Sequence, residues 1–430
     1  MYRIITEKLI NWAKKTDKKP LILQGARQVG KTYIANEFGK NNYENVVYCQ
    51  LEGNEHLRSC FDILEPNEII KRIESEKRER IAKEKTLLIL DEIQNVKGAL
   101  TSLKYFCEQE PQYNIIALGS LLGVAVNREE YSFPVGKVDT LEMHPLNFEE
   151  FLLATNNEEL NEKIKSCYNE NEKLDNFYHE KALELYKTFL FVGGMPEIIN
   201  TFIRDNNEII VSEYQSEIVK AYLADMSKYN KENIVTKTRI VYRNLSVQLS
   251  KENTKFKYNL LKTGARASEY EEAIEWISLS GIANLLYRLE NVKLPLNANK
   301  NIKDFKMYVN DVGLLSSMEN IKMNDIIYGS QMLNEFYGGL VENYVYNELK
   351  INGHDLYYLN EDNTIEIDFI TRIGNDIIPI EVKSSERVKS KSLIKYVEKY
   401  NPKYSIRISE KNFGFENNIK SVPLYATYCI

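Results

Sequence analysis

The sequence predicts an α/β chain: a mostly parallel sheet at the N-terminal end, a helical middle, and a second α/β domain at the C-terminal end. Three observations predict this. Short apolar runs alternate with helical periodicity from residue 20 to about 147, helical patterns take over from 148 to 230, and strand-like runs return around a Gly374-Asn375 turn.

The early strands read as "PLILQG" (20–25), "NVVYCQLEG" (45–53), "TLLILDE" (86–92), "YNIIALGS" (113–120) and "GKVDTLEM" (136–143). "PLILQG" is a short apolar run ending in Gly, and the alternation of such segments with helical patterns is that of a mostly parallel sheet covered on both faces. The helical middle is interrupted at Gly193-Gly194-Met195-Pro196. Residues 231–292 then give helix, helix and a strand-like tail, the order of a winged-helix module. The stretch 286–306, with Pro295 and an Asn/Lys run, reads as a connection. Beyond it lie a helix at 333–353, the hairpin "IEIDFITRIGNDIIPIEVKSS" (365–385), a helix at 391–400 and a final strand. The domains expected are 1–147, 148–230, 231–292 and 293–430.

Composition excludes several classes. Hydrophobic residues make up 43% and charged residues 27%, a soluble balance. No stretch approaches the roughly 20 apolar residues of a membrane span. The N-terminus lacks the long apolar core of a secretory signal. Five scattered cysteines without CxxC spacing argue against a disulfide framework or structural zinc, so a reducing cytoplasm is the expected location. His56, His144, His179 and His354 show no ligand spacing. With a net charge of −6, nucleic acid could be bound only through local patches.

Gly25-Ala26-Arg27-Gln28-Val29-Gly30-Lys31-Thr32 matches GxxxxGK[ST] between an apolar strand and a helix. Such a loop wraps phosphates with inward N–H groups at a helix N-terminus. Lys31 is expected at the β/γ-phosphates of ATP, and the Thr32 hydroxyl on Mg²⁺. Downstream, "LLILDE" ends a strand in Asp91 and Glu92. Asp91 would hold Mg²⁺ through water, and Glu92 would orient and deprotonate the attacking water. Ser120, ending "IIALGS", reads equally as a turn residue after Gly119 and as a γ-phosphate sensor.

The chain resembles AAA-type P-loop ATPases of bacteria and archaea that carry a C-terminal restriction-endonuclease-like, PD-(D/E)xK-like domain of uncharacterised function. The resemblance rests on "LILQGARQVGKT", "LLILDEIQ", "ALGSLLG", "SFPVGKVDTLEMHPLNFEEFL", "FVGGMPE", "KFKYNLLKTGARASEYEEAIEWISLSG", "MYVNDVGLL" and "IPIEVKSS", in the family's order. It implies a P-loop AAA-type sheet core, a helical lid at 148–230, the winged-helix-like module and a nuclease-like domain. The nucleotide roles carry over to Gly25 through Thr32, Asp91, Glu92 and Ser120. No motif places an arginine finger; Arg27, Arg128 and Arg266 are the candidates.

In the hairpin, a two-residue Gly374-Asn375 turn sets Asp368 opposite Glu381 and Glu366 opposite Lys383. Alternation puts these four on one face, and Ile365, Ile367 and Phe369 on the core face. The charged square reads either as a solvated face with ion pairs, or as a site where Asp368 and Glu381 hold a second Mg²⁺ or Mn²⁺ and Lys383 positions or deprotonates a hydrolytic water. Glu342 matches the family's additional helical acid. The family's usual Pro before the Asp is Ile367 here. Residues 383–403 hold seven Lys/Arg against two Glu, with Tyr396 and Tyr400 interleaved: either a phosphate-tracking surface or a solvated helix face. The expected function is ATP hydrolysis coupled to nucleic-acid processing. The alternative is an ATP-dependent switch or remodeller with a catalytically inactive C-terminal binding module. DNA or RNA, a protein partner or a second copy of the chain are the expected partners, and no membrane.

Overall fold

The computed structural model describes residues 1–120, 134–227, 232–251, 254–329, 334–361, 364–385 and 391–430. They form two compact units: residues 2–144 with 279–281, and residues 145–278 and 282–430 with Met1.

The N-terminal unit holds strands β1 (Leu21–Gly25), β2 (Asn45–Gln50), β3 (Thr86–Asp91), β4 (Asn114–Ser120) and β5 (Asp139–Met143), and helices α1 (Ile5–Ala13), α2 (Lys31–Asn42), α3 (Glu55–Ser59), α4 (Pro66–Lys77) and α5 (Lys97–Gln109). The strands pair in parallel in the order β2-β3-β4-β1-β5. Side-chain alternation sorts β3 between two cores. Leu87 and Ile89 pack with α1 and α2, through Leu9, Trp12, Ile34 and Phe38. Leu88 and Leu90 pack with α3 to α5, through Leu57, Ile69 and Leu103. This double covering explains the unbroken apolar runs. Truncating any of these fully buried leucines to alanine would cost about 2–5 kcal/mol.

The second unit begins with helices α6 (Phe148–Ala154), α7 (Glu158–Glu170), α8 (Asn176–Val192), α9 (Pro196–Asp205), α10 (Glu208–Asp225), α11 (Glu232–Leu249) and α12 (Ala267–Leu279). An eight-stranded sheet follows, built from β6 (Ala283–Leu289), β7 (Lys300–Val309), β8 (Tyr357–Glu361), β9 (Ile365–Ile373), β10 (Asp376–Val382), β11 (Ser405–Ser409), β12 (Gly414–Glu416) and β13 (Ile419–Pro423), in the order β12-β13-β11-β10-β9-β8-β6-β7. Its helices are α13 (Val312–Met318), α14 (Met323–Ile327), α15 (Asn334–Ile351) and α16 (Lys391–Tyr400).

Sequence expectations for the second unit are corrected here. The stretch 286–306 is no connection: it carries most of the antiparallel β6–β7 pair, with Leu286 opposite Lys306. Because β6 also pairs with β8, the boundary expected at 292/293 runs through a single sheet, and the strand-like tail of the supposed winged helix is part of that sheet. Instead of four domains there are two compact units. The single strand expected at the C-terminus is three, β11 to β13.

The turn at Gly374-Asn375 sets the register read from the sequence, with Ile373 opposite Asp376 and Phe369 opposite Ile380. The face assignment fails at one point. Between β8 and β9 the register slips by one residue: Tyr357 pairs with Ile370, but Leu359 with Ile367. Ile367 and Ile370 therefore share one core with Leu393 and Tyr396 of α16. Phe369 instead packs against Tyr308 of β7 and Tyr346 of α15, at ring distances of 6.1 and 6.3 Å. An extra residue in one strand re-aims its side chains in this way.

The "FVGGMPE" and "MYVNDVGLL" signatures meet in a backbone junction. Asp311 caps α13 by accepting from the Leu314 N–H (2.9 Å) and takes the Gly194 N–H on its other oxygen (2.5 Å). A side chain on Gly194 would stand 2.0 Å from the Leu146 carbonyl oxygen, and one on Gly313 2.4 Å from that of Val192, so both backbones need glycine. Nearby, buried Glu348 accepts from the Phe148 N–H (2.9 Å), while its second oxygen has no hydrogen-bond partner. Burial pushes the Glu348 carboxyl up to about 8. The unfolded chain releases this proton near pH 4.5, the folded chain only near 8. Between those values the unfolded state binds fewer protons, so stability present in acid is lost as the pH rises. Glu348→Gln keeps the acceptor for Phe148. It should raise the thermal midpoint at pH 8.5 by several degrees, corresponding to about 2 kcal/mol or more, with little gain at pH 4.5. Calorimetry at the two pH values checks this.

Candidate nucleotide site and C-terminal cleft

β1 ends at Gly25, where an added Cβ would stand 2.2 Å from the Met143 carbonyl oxygen on β5. Only glycine allows the chain to turn so close to its neighbour. Gln28 and Gly30 take positive φ values of 65° and 93°, which reverse the loop into α2. Val29 is fully buried in the core under the loop. The buried Arg3 guanidinium donates to the Val29 carbonyl (3.0 Å) and to the His144 carbonyl (2.7 Å). It ties the loop to the end of β5.

Lys31 donates to the carbonyls of Gly25 (3.0 Å) and Ala26 (2.8 Å). Burial lowers its pKa to about 8, against the pull of Glu92 and Asp91. Thr32 Oγ1 donates to Asp91 Oδ2 (2.9 Å), and the Tyr48 hydroxyl donates to the same oxygen (2.7 Å). Asp91 Oδ1 accepts from the Glu92 N–H (2.9 Å). Glu92 sits at a positive φ of 55°, and its carboxylate accepts from the Gln94 amide. Ser120 ends β4 directly beside Gly25. Thr32, Asp91, Glu92, Ser120 and Lys31 thus converge at the C-terminal ends of β1, β3 and β4, where a parallel sheet gathers its ligands. Thr32 and Asp91, two oxygen donors already in contact, suit a magnesium ion. Arg27 is among the charges acting on Lys31. Arg266 is exposed on the second unit, and Arg128 lies outside the described residues. Sequence reasoning missed Arg3, Tyr48 and Gln94; the partners of Arg3 and Tyr48 become visible only once the strand order is known, whereas Gln94 donates to Glu92 two residues before it.

In the second unit, a cleft of about 560 Å³ is lined among others by Lys251, Thr254, Glu342, Asp368 and Lys383. Glu342, on α15, is nearly buried and crowded with donors. Lys306 Nζ and the Tyr308 hydroxyl both donate to its Oε1 at 2.6 Å, and Thr254 Oγ1 approaches Oε2 at 3.4 Å. Asp368 Oδ2 accepts from the Val382 N–H (2.7 Å). Burial, then the nearby Glu342 charge, push the Asp368 carboxyl up to about 7, opposed by Lys306 and Lys383.

The expected charged square is only partly assembled. Glu381 is buried and pairs with Lys383 at 3.2 Å, but does not line the cleft. Glu366 is exposed. Among the described residues, no three His, Cys, Asp or Glu side chains group closely enough to hold a metal. The expected set Glu342, Asp368 and Glu381 therefore does not fit a second Mg²⁺ or Mn²⁺. One feature runs the other way: Glu381 Oε2 is buried without a hydrogen-bond partner. Lys306 and Tyr308 were missed because their strand was read as a connection.

The basic segment is also more structural than expected. Tyr396 lies in the core and meets the Tyr400 ring in a tilted arrangement, centroids 4.7 Å apart. Lys399 pairs with Glu361 at 2.6 Å and Lys403 with Asp376 at 3.4 Å. Lys391 and Lys395 are exposed, whereas Glu386, Arg387 and Lys389 lie outside the described residues.

Comparison with known proteins agrees with the N-terminal geometry. Residues 17–152 match the family described as an AAA domain. Residues 183–325 and 337–427 match two domains of unknown function, DUF8612 and DUF4143. An uncharacterized protein of Methanocaldococcus jannaschii is 24% identical over 98% of this chain and 87% of its own length. Among solved structures, the Aeropyrum pernix ORC1 protein in complex with DNA aligns at 13% identity and a TM-score of 0.28, over 74% of this chain and 90% of that one. AMPPCP-bound DnaA from Aquifex aeolicus aligns at 15% and 0.28, over 64% and 84%. Thermotoga maritima RuvB aligns at 14% and 0.27, over 65% and 87%. The chain contains an AAA-type P-loop ATPase domain, which binds and hydrolyses ATP. No helix among the described residues is long and apolar enough to cross a membrane.

Arg3→Met removes two charge-assisted hydrogen bonds to backbone carbonyls that hold the loop. The expected loss is about 3 kcal/mol, read as a lower unfolding midpoint in denaturant and a weaker ATP affinity.

Proposed function

We propose that the chain is a Mg²⁺-dependent ATPase whose nucleotide state drives a switch, and that the cleft of its C-terminal unit is a binding module for a protein or nucleic-acid partner. One observation carries this choice: the acids expected to hold a second metal are answered by lysines of the chain itself, Glu342 by Lys306 and Glu381 by Lys383.

In the ATPase reaction, Lys31 leaves the Gly25 and Ala26 carbonyls to meet the β/γ-phosphates, while the loop N–H groups and the start of α2 cradle them. Thr32 and Asp91 would hold Mg²⁺, which neutralises phosphate charge during transfer. Glu92 orients the attacking water and takes its proton, and Gln94 fixes the Glu92 carboxylate. Ser120, beside Gly25, contacts the γ-phosphate or the water. Glu92→Gln should retain nucleotide binding and slow turnover by roughly 100-fold or more. Fluorescent-nucleotide titration with a phosphate-release assay checks this, and unchanged turnover would show that another group is the base.

A second reading, nucleic-acid processing by a metal nuclease in this cleft, is favoured by the orphaned Glu381 oxygen. The two readings diverge in one assay. With ATP and Mn²⁺ the switch leaves DNA and RNA uncut, and its partner binding survives Asp368→Ala. The nuclease cuts, and the same substitution abolishes cutting.

A further inference from the structure

We propose that Lys306 stands in for a divalent ion behind the C-terminal cleft: its buried ammonium, held on the cleft residue Glu342, supplies the positive charge that Glu342 and its neighbour Asp368 would otherwise draw from a metal, so the native chain takes no metal there. The proposal extends the binding reading above and concerns the same cleft.

Lys306 sits on β7 facing Leu286 across the β6–β7 pair, with its side chain only 3% exposed. A lysine on a surface keeps its head in water; this one cannot. Its ammonium is fixed on Glu342 at 2.6 Å and lies 5.1 Å from the ring centre of Tyr358. Burial alone would lower its pKa, but Glu342 and Asp368 outweigh burial and leave it raised, so it remains charged.

A divalent ion in this space would have to share Glu342 Oε1 with that ammonium and with the Tyr308 hydroxyl. Like charges that close in a buried site repel strongly. Hard cations also need several oxygen ligands at once. Glu342 already accepts three donors, and one Asp368 oxygen is committed to the Val382 N–H. Removing the lysine charge while keeping its length leaves the neighbouring carboxylates Glu342 and Asp368 with Lys383, acting on Asp368, as the cation nearby. Those two carboxylates are the minimal demand for a metal.

The test is Mn²⁺ titration of the nucleotide-free full chain, followed by electron paramagnetic resonance, in an Asp91→Asn background that disables the ATPase metal position. Lys306→Met should gain one Mn²⁺ site at least about tenfold tighter than any in the parent. It should also show a Mn²⁺-dependent rise in thermal midpoint that the parent lacks. Lys306→Met combined with Glu342→Gln should lose both gains. If Lys306→Met does not fold, the parent decides: Mn²⁺ bound tightly and lost in Asp368→Asn overturns the proposal, whereas no such site upholds it. Equal Mn²⁺ affinity in the parent and a folded Lys306→Met also overturns it. Partner binding is measured separately. Its loss in Lys383→Ala, or its absence altogether, bears on the binding reading and leaves the metal titration standing.

Discussion

The chemistry of the N-terminal unit depends on β1 ending in a residue without a side chain. With the Met143 carbonyl 2.2 Å from where a Cβ would be, any other residue at Gly25 would push β5 away or unmake the turn. The same close approach sets the path of the phosphate loop. The chain can reverse through two positive-φ residues, Val29 can be driven into the core, and α2 can start with Lys31 and Thr32 over the ends of β3 and β4. Asp91 then meets the Thr32 hydroxyl. The loop is held from below by packing and from the side by Arg3, so little ordering is left for ATP to impose.

Legibility followed the range of the interactions. The phosphate loop and the Asp91-Glu92 pair were readable because each is a contiguous strand end whose function depends on local geometry. The three central strands β1, β3 and β4 were readable because double covering makes them continuously apolar, whereas the edge strands β2 and β5 alternate. The hairpin register was readable because a two-residue turn dictates it. Arg3 and Tyr48 were not, since their partners are set by a strand order, β2-β3-β4-β1-β5, that no local pattern encodes. The slip in β9 was invisible for a similar reason. It arises in pairing with β8, and strict alternation from the turn would have put Phe369 beside Ile367.

The largest misreading had a chemical consequence. Pro295 and an Asn/Lys run made 286–306 look like a connection, and this concealed Lys306 and Tyr308. Without them the hairpin read as Glu366, Asp368 and Glu381 with Lys383, either an ion-paired face or two close carboxylates joined by a metal. With them, the acids belong to an internal network of lysine, tyrosine and threonine donors. A charge pattern on one hairpin is therefore an incomplete basis for assigning a metal, because the balancing charge can arrive from a strand tens of residues away.

Two buried lysines show how to tell a waiting cation from a committed one. Lys31 touches only carbonyl oxygens, with Asp91 and Glu92 acting from farther off, and burial leaves its pKa lowered to about 8. Its charge lacks a direct counter-ion, so an entering phosphate supplies what the fold withholds. Lys306 touches a carboxylate and remains raised despite complete burial. An anion arriving there would compete with Glu342 and gain little. The distinction assigns ligand capture to the first unit's lysine and internal charge balance to the second's. Within the cleft, the accessible cations are Lys383, with roughly a third of its side chain exposed, and the exposed Lys251.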